Sequence, residues 1–310
     1  MMRFLALRLV KMAITLFVVI TLVFFATRLS GNAIDFIAGE GLDAQSRSEL
    51  IAYYGLREDS LTQYWRYLRA IAEGEFGLSF TERRPVTQVF WERVGPTLQL
   101  IGGAILVTLV VAIPAGVFAA VRRRDAAAHG VMTVAFLGYA TPNFVLATLL
   151  LLVFSYWLQI LPSAGNGSWA HYLMPVTALS LTYIAALIRY TRNATLEVLG
   201  QDYLRTARAK GLSEREVVMR HVLRNTLITV LSVIGLMVTA LASSGAVVIE
   251  SIFSWRGIGD LLVRAAIRRD YPVLQFGVLA VAVAVVIINT LIDIAYAWVD
   301  PRVRLGARLT

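Results

Sequence analysis

The residues with chemistry to offer are concentrated in one stretch. Asp202, Arg205, Arg208, Lys210, Ser213, Glu214, Arg215 and Glu216 crowd together in a chain that is 58% hydrophobic and only 16% charged. Just before and among them, Leu196, Leu199, Tyr203 and Ala207 recur at three- and four-residue spacing. On a helix that spacing makes one apolar stripe, from which Asp202, Arg205 and Arg208 stand clear. Gly211 supplies the permissive or left-handed backbone a helix end needs. Ser213-Glu214-Arg215-Glu216 reads as a capping box, in which the Ser213 hydroxyl accepts from the Glu216 amide and the Glu216 carboxylate reaches back to Ser213. A second helix is therefore expected from Glu214, with Val218 and Val222 on one side, running to about Asn225. The chemistry this implies is docking: a charged helix–glycine–helix shaped to fit a cleft in a partner. Two short helices joined at a glycine also describe a DNA-binding unit, but a loop tied at both ends to apolar runs could hardly reach a major groove. A plain amphipathic linker lying on a membrane is the simpler alternative.

Other chemistry finds little to stand on. No glycine-rich loop ending in Lys-Ser or Lys-Thr is present, so nucleotide hydrolysis by the P-loop route is not expected. His129, His171 and His221 are isolated, without a second imidazole or carboxylate at metal-ligand spacing. There is no nucleophile elbow, and zero cysteines exclude disulfides and thiolate metal sites. No catalytic residue, metal or cofactor is expected.

The elements that must position the charged stretch are membrane spans. Nearly uncharged runs recur at 9–26, 98–121, 131–161, 172–188, 226–249 and 273–292, which predicts an all-α polytopic membrane protein of six transmembrane helices. The third run is too long for one perpendicular span of about 20 residues, and Pro142 is the expected kink or turn within it. Basic residues decide the orientation. Seventeen lie in the N-terminal tail, the loop opening at Arg122-Arg123-Arg124, the stretch between Arg189 and Arg224, and the C-terminal tail. The opposite side has none in 162–171 and four in 250–272. Both termini are thus expected in the cytoplasm. The organisation reads as 1–27, cytoplasmic N-terminus and first span; 28–96, an outer (periplasmic) loop region; and 97–310, a core of five spans with its cytoplasmic loop at 189–225. The N-terminus also looks like a signal peptide, but five spans follow it and an uncleaved first span is expected. The net charge of +9 is read as topology plus contact with anionic lipid rather than as nucleic-acid binding. Only Lys11 and Asp293 interrupt the apolar runs, so an ion-coupled carrier, which commonly places ionisable groups at mid-membrane, is disfavoured.

At the charged loop the chain resembles the permease subunit of bacterial ATP-binding-cassette importers of the oligopeptide/dipeptide/nickel family. Arg205-Thr206-Ala207 stands at that family's Glu-Ala-Ala positions, Gly211 is its glycine, and His221-Val222-Leu223-Arg224-Asn225 closes the loop. The resemblance extends along nearly the whole chain. It includes Tyr54-Gly55-Leu56 with Gln63-Tyr64, Gly74-Glu75-Phe76-Gly77-Leu78-Ser79, and Glu250-Ser251-Ile252-Phe253-Ser254-Trp255-Arg256-Gly257-Ile258-Gly259. Arg269-Asp270-Tyr271-Pro272-Val273 and Asp300-Pro301-Arg302-Val303-Arg304 complete it. Three departures stand out: Arg256 in place of a usual Pro, Ser30-Gly31-Asn32-Ala33 in place of Pro-Gly-Asp-Pro, and Gly74-Glu75 in place of Gly-Asp. Arg83-Arg84-Pro85-Val86 and Trp169-Ala170-His171-Tyr172 look most like the glutathione-importing branch.

The resemblance implies a type I importer permease fold in the bacterial inner membrane. Its function would be to form half of an ATP-driven, binding-protein-dependent pathway for di-/oligopeptides or glutathione-like peptides. Implied partners are a second homologous permease, cytoplasmic ATPase subunits that hydrolyse the ATP, and a periplasmic substrate-binding protein, with lipid around them. The ATPase-coupling loop would use Tyr203, Arg205, Thr206, Ala207, Arg208, Lys210, Gly211, Leu212, Ser213, Glu216, His221, Arg224 and Asn225. A candidate outer gate comprises Glu250, Phe253, Trp255, Gly257 and Gly259; it reads either as a latch or as an interfacial anchor with a solvated Glu250 and a headgroup-depth Trp255. Ser180, Thr239, Ser243 and Ser244 are candidate pathway-lining residues, although helix packing in membranes enriches the same small and hydroxyl types. A signalling protein whose loop merely recruits a partner would leave the outer-loop resemblances without an account.

Overall fold

A computed structural model describes residues 2–29, 45 and 58–299. The motif at Tyr54, the Ser30-Gly31-Asn32-Ala33 departure and the Asp300-Pro301 motif lie outside the described residues. Among the described residues regular structure is helical, apart from one isolated antiparallel bridge between Leu78 and Pro85. The helices are α1 (Met2–Leu29), α2 (Ser60–Glu73), α3 (Val86–Val121), α4 (Ala126–Ala140), α5 (Asn143–Leu150), α6 (Ala170–Leu199), α7 (Asp202–Ala209), α8 (Glu214–Ser243), α9 (Val247–Ile252), α10 (Ile258–Ile267) and α11 (Tyr271–Val299). Helix α5 continues into a π-helical stretch, Leu151–Trp157; α8 contains a π-helical turn at Val217–Val222 and runs into another at Leu241–Gly245.

Five of these helices are long and apolar enough to cross a membrane, and a sixth span is counted if α4 and the α5 segment are taken together. That pair is bent by 100° at Thr141-Pro142, where the kink was expected. The cause is local: a residue before proline is pushed out of the helical region, and Thr141 is extended at φ −89°, ψ 120°. Helix boundaries differ most from the apolar runs in three places. Helix α3 starts at Val86 rather than 98, α6 runs on past 188 to Leu199, and α8 begins at Glu214 and continues unbroken to Ser243 instead of pausing near Asn225. Hydropathy marks what lipid tolerates, whereas a helix stops only where its backbone is capped or bent.

The chain divides into two compact units. The first contains the described residues of Met1–Thr97 with Arg256–Val286. Its core is Val86, Val89, Phe90, Leu261, Ala265 and Val273, with Phe276 edge-on to both Phe76 (4.6 Å) and Phe90 (5.3 Å). Helix α2 is anchored to α1 through Tyr64, which meets the Phe24 ring and shares a 2.6 Å hydrogen bond with Thr21. It is capped at both ends, by the Asp59 carboxylate and by a left-handed Gly74.

The same unit brings two distant motifs together. Asp270 is buried, and its Oδ2 accepts hydrogen bonds from Ser79 Oγ (2.6 Å) and Thr81 N (3.0 Å) while Oδ1 accepts from Phe80 N (3.0 Å). Two stretches separated by some 190 residues are thereby clamped on one carboxylate.

The second unit contains the described residues of Leu98–Trp255 and Ile287–Thr310. One cluster centres on Leu100, Met174, Leu179, Leu241, Phe253 and Trp255; another, richer in alanine, joins Ala112, Ala135, Ala185, Leu187, Ile188 and Val230. Close approach at small residues is the usual basis of helix association in lipid, where no hydrophobic drive brings the helices together. Gly116 shows how tight it is: a Cβ there would stand 2.6 Å from Thr191 Cβ and 2.9 Å from the Ile188 carbonyl.

Candidate functional site

The charged loop folds as a small unit with its own core. Helix α6 ends at Leu199, Gln201 starts α7, and the chain turns at Gly211, whose φ of +82° lies in the left-handed region. The capping box forms as its spacing requires. Ser213 Oγ accepts from Glu216 N at 3.3 Å, and Glu216 Oε2 accepts from Ser213 N at 3.1 Å. Leu204, Ala207, Val217 and Val222 are buried against one another, with Val198, Leu199 and Leu212 around them. Arg208 and Glu214 close the turn with an ion pair of 2.6 Å, which holds the Arg208 guanidinium above its ordinary pKa.

This core corrects the expected stripe in two positions. Leu204, not Tyr203, points inward, because Gly200 ends α6 and the helical phase restarts in α7. Val217 replaces Val218, because a π-helical turn spans five residues and so aligns Val217 with Val222. The Gly200-Gln201 pair hinted at the first shift; nothing in the local pattern announced the second.

Tyr203 is instead exposed and its hydroxyl accepts from Asn225 Nδ2 (3.0 Å), which also donates to the His221 carbonyl (2.8 Å). Tyr203, His221 and Asn225 thus meet as one group that ties α7 to α8. Arg205, Thr206, Lys210 and Arg224 are exposed, with Arg205 3.6 Å from Asp202. The surface presented is therefore basic and polar, over a rigid apolar base.

The gate candidates lie in a different setting from a solvated boundary. Glu250, Phe253 and Trp255 are all buried, and Trp255 packs edge-on against Tyr172 at 4.6 Å. The chain reverses through Ser254 at φ +46°, with Trp255 N donating to the Glu250 carbonyl (2.8 Å) and Gly165 N to that of Phe253 (3.0 Å). A headgroup-depth Trp255 beside a water-exposed Glu250 does not describe this arrangement. Gly257 is the N-cap of α10 and Gly259 is buried within its first turn.

The lining candidates separate. Ser180 is buried and donates to the Thr177 carbonyl at 3.3 Å, while Thr239 donates to Asn289 Oδ1 at 2.6 Å. Both bonds are satisfied within the chain. Ser243 is exposed, in the Leu241–Gly245 π-helical turn that also carries Ser244. At Gly245 a Cβ would come 2.9 Å from the Tyr183 hydroxyl, so the glycine lets α6 approach that turn.

Residues 112–305 match the family described as binding-protein-dependent transport system inner membrane component. Over 305 residues, 98% of this chain and 99% of the relative, the sequence is 39% identical to the glutathione transport system permease protein GsiC of Escherichia coli. It is 38% identical, over the same shares, to that of Shigella flexneri serotype 5b. Among solved structures, the inward-facing MetNI methionine ABC transporter superposes with a TM-score of 0.57 at 16% identity, covering 69% of this chain and 97% of that one. An amino acid ABC transporter crystallised with histidines gives 0.50 at 15% identity, covering 68% and 94%. These likenesses establish the type I importer permease fold. With its span-forming helices and its full-length relatives, the chain belongs to the binding-protein-dependent transport system inner membrane component family and is a multi-pass permease subunit of an ABC importer.

Proposed function

We propose that this permease forms half of a two-permease pathway carrying di-/oligopeptides or glutathione-like peptides across a bacterial inner membrane. ATP is hydrolysed by separate subunits that grip the α7–Gly211–α8 unit, and cargo is delivered on the outer side by a binding protein. The observation that carries the docking role is the loop's own buried core of Leu204, Ala207, Val217 and Val222 beneath an exposed basic face. A linker lying on lipid would turn those apolar residues outward; here they stabilise a shaped projection. The peptide class rests on the full-length likeness to relatives named for glutathione transport. In cells producing the whole system, uptake is expected to persist with an ionophore and stop on ATP depletion. Uptake that instead collapses with the ion gradient alone would refute an ATP-driven permease.

The buried carboxylate at the end of α8–α9 suits the latch reading of Glu250. A carboxyl group held away from water is sensitive to small movements of what surrounds it. Glu250→Gln, which keeps the shape and removes the carboxyl, is expected to lower both uptake and the ATPase stimulation produced by loaded binding protein. Wild-type stimulation in the reconstituted variant would end the latch reading.

A further inference from the structure

Two arginines lie where hydropathy had placed the end of a span. Because α6 continues to Leu199, Arg189 and Arg192 are inside a membrane-span helix and one turn apart on the same side of it. At 1.5 Å per residue Arg189 sits about 28 Å along the helix from Ala170, within reach of the inner edge of a hydrocarbon layer of about 30 Å. Neither arginine is exposed, and the Nε of each is sealed from solvent without a hydrogen-bond partner among the described residues. The Arg189 guanidinium lies 4.1 Å from the centre of the Tyr139 ring. Thr191, between them, is fully buried and its hydroxyl also lacks a partner.

Arg208 is matched to Glu214 and Arg264 to Asp260, whereas Arg28 and Arg93 share the unpartnered Nε but stand singly rather than as a pair. An arginine that snorkels to lipid keeps its head in the headgroup layer; Arg189 and Arg192 have their Nε enclosed by protein, and one is covered by an aromatic face. Ionisable groups on a span helix that are enclosed by protein rather than turned to lipid are candidates for a pathway. We infer that Arg189 and Arg192, backed by Tyr139, form an anion site that takes the carboxylate of a peptide cargo on its way through the permease. The inference rests on the peptide reading above for its cargo, but not for its charge. Guanidinium suits a carboxylate because its planar N–H groups can pair with both oxygens.

The test uses the assembled importer in proteoliposomes and exploits the absence of cysteine. Tyr139→Cys is labelled with an anionic and a cationic methanethiosulfonate, each rate taken relative to that with a free thiol. The anionic reagent is expected to react about tenfold faster, and Arg189→Gln with Arg192→Gln is expected to abolish the preference. Equal normalised rates beside the native arginines would overturn the site. A preference that appears only with phosphatidylglycerol in the vesicles would assign the pair to lipid and overturn the cargo role. With Tyr139 intact, S-methylglutathione uptake per ATP hydrolysed is then measured. It should fall in the double glutamine variant and be retained in Arg189→Lys; an unchanged ratio in the double variant would overturn the inference. Failure of the unsubstituted importer to move S-methylglutathione, with the labelling preference intact, would count against the peptide reading alone.

Discussion

Gly211→Val is expected to abolish transport while the protein still inserts in the membrane. At φ +82° a residue with a Cβ pays roughly 1–2 kcal/mol, and a β-branched one more. Crowding is not the cause, since a Cβ at this position would meet nothing within 4 Å. The strain falls on a turn that must keep Leu204 and Ala207 against Val217 and Val222, and Arg208 against Glu214. A reshaped turn moves the exposed basic face away from any cleft built to receive it. Gly211→Asn should be far milder, because asparagine tolerates left-handed backbone. Ser213→Ala should remove about 1 kcal/mol of helix cap and leave partial uptake. Uptake assays with co-purification of the ATPase subunits read the series. Full transport and normal ATPase retention in Gly211→Val would show that the loop's shape is not what the partner recognises.

Asp270→Ala is expected to unfasten the first unit locally. Removing the carboxylate leaves Ser79 Oγ, Phe80 N and Thr81 N without their acceptor, a loss of about 3 kcal/mol for a buried, charge-assisted set. Asp270→Asn should fare little better, since its amide turns a donor toward at least one N–H. The readout is tryptic cleavage after Arg83, an exposed residue held in the left-handed region within the clamped loop. Cleavage in the purified complex should accelerate markedly in both variants, and the thermal transition should shift down. If the cleavage rate and transition stay those of the unsubstituted chain, the clamp does not secure the loop.

What the sequence determined by itself is what local rules control. Apolar run length located all six candidate spans, since a backbone crossing lipid must satisfy its hydrogen bonds within the helix. Pro142 foretold the bend, Ser213 and Glu216 their cap, and Gly211 its left-handed turn, because each acts within four residues of itself. Motif spacing in the loops and tails pointed to the family that the full-length comparison establishes. The tertiary structure decided the rest. It alone set the burial of Glu250 and Trp255, the meeting of Asp270 with Ser79 across the chain, and the choice of Leu204 and Val217 over Tyr203 and Val218. It also carried α6 past its apolar run and so placed Arg189 and Arg192 within a helix. The reason is one of range. Periodicity and capping report on neighbours in sequence, but which face of a helix is covered depends on segments tens to hundreds of residues away. A single π-helical turn shifts that face without leaving a mark in the pattern.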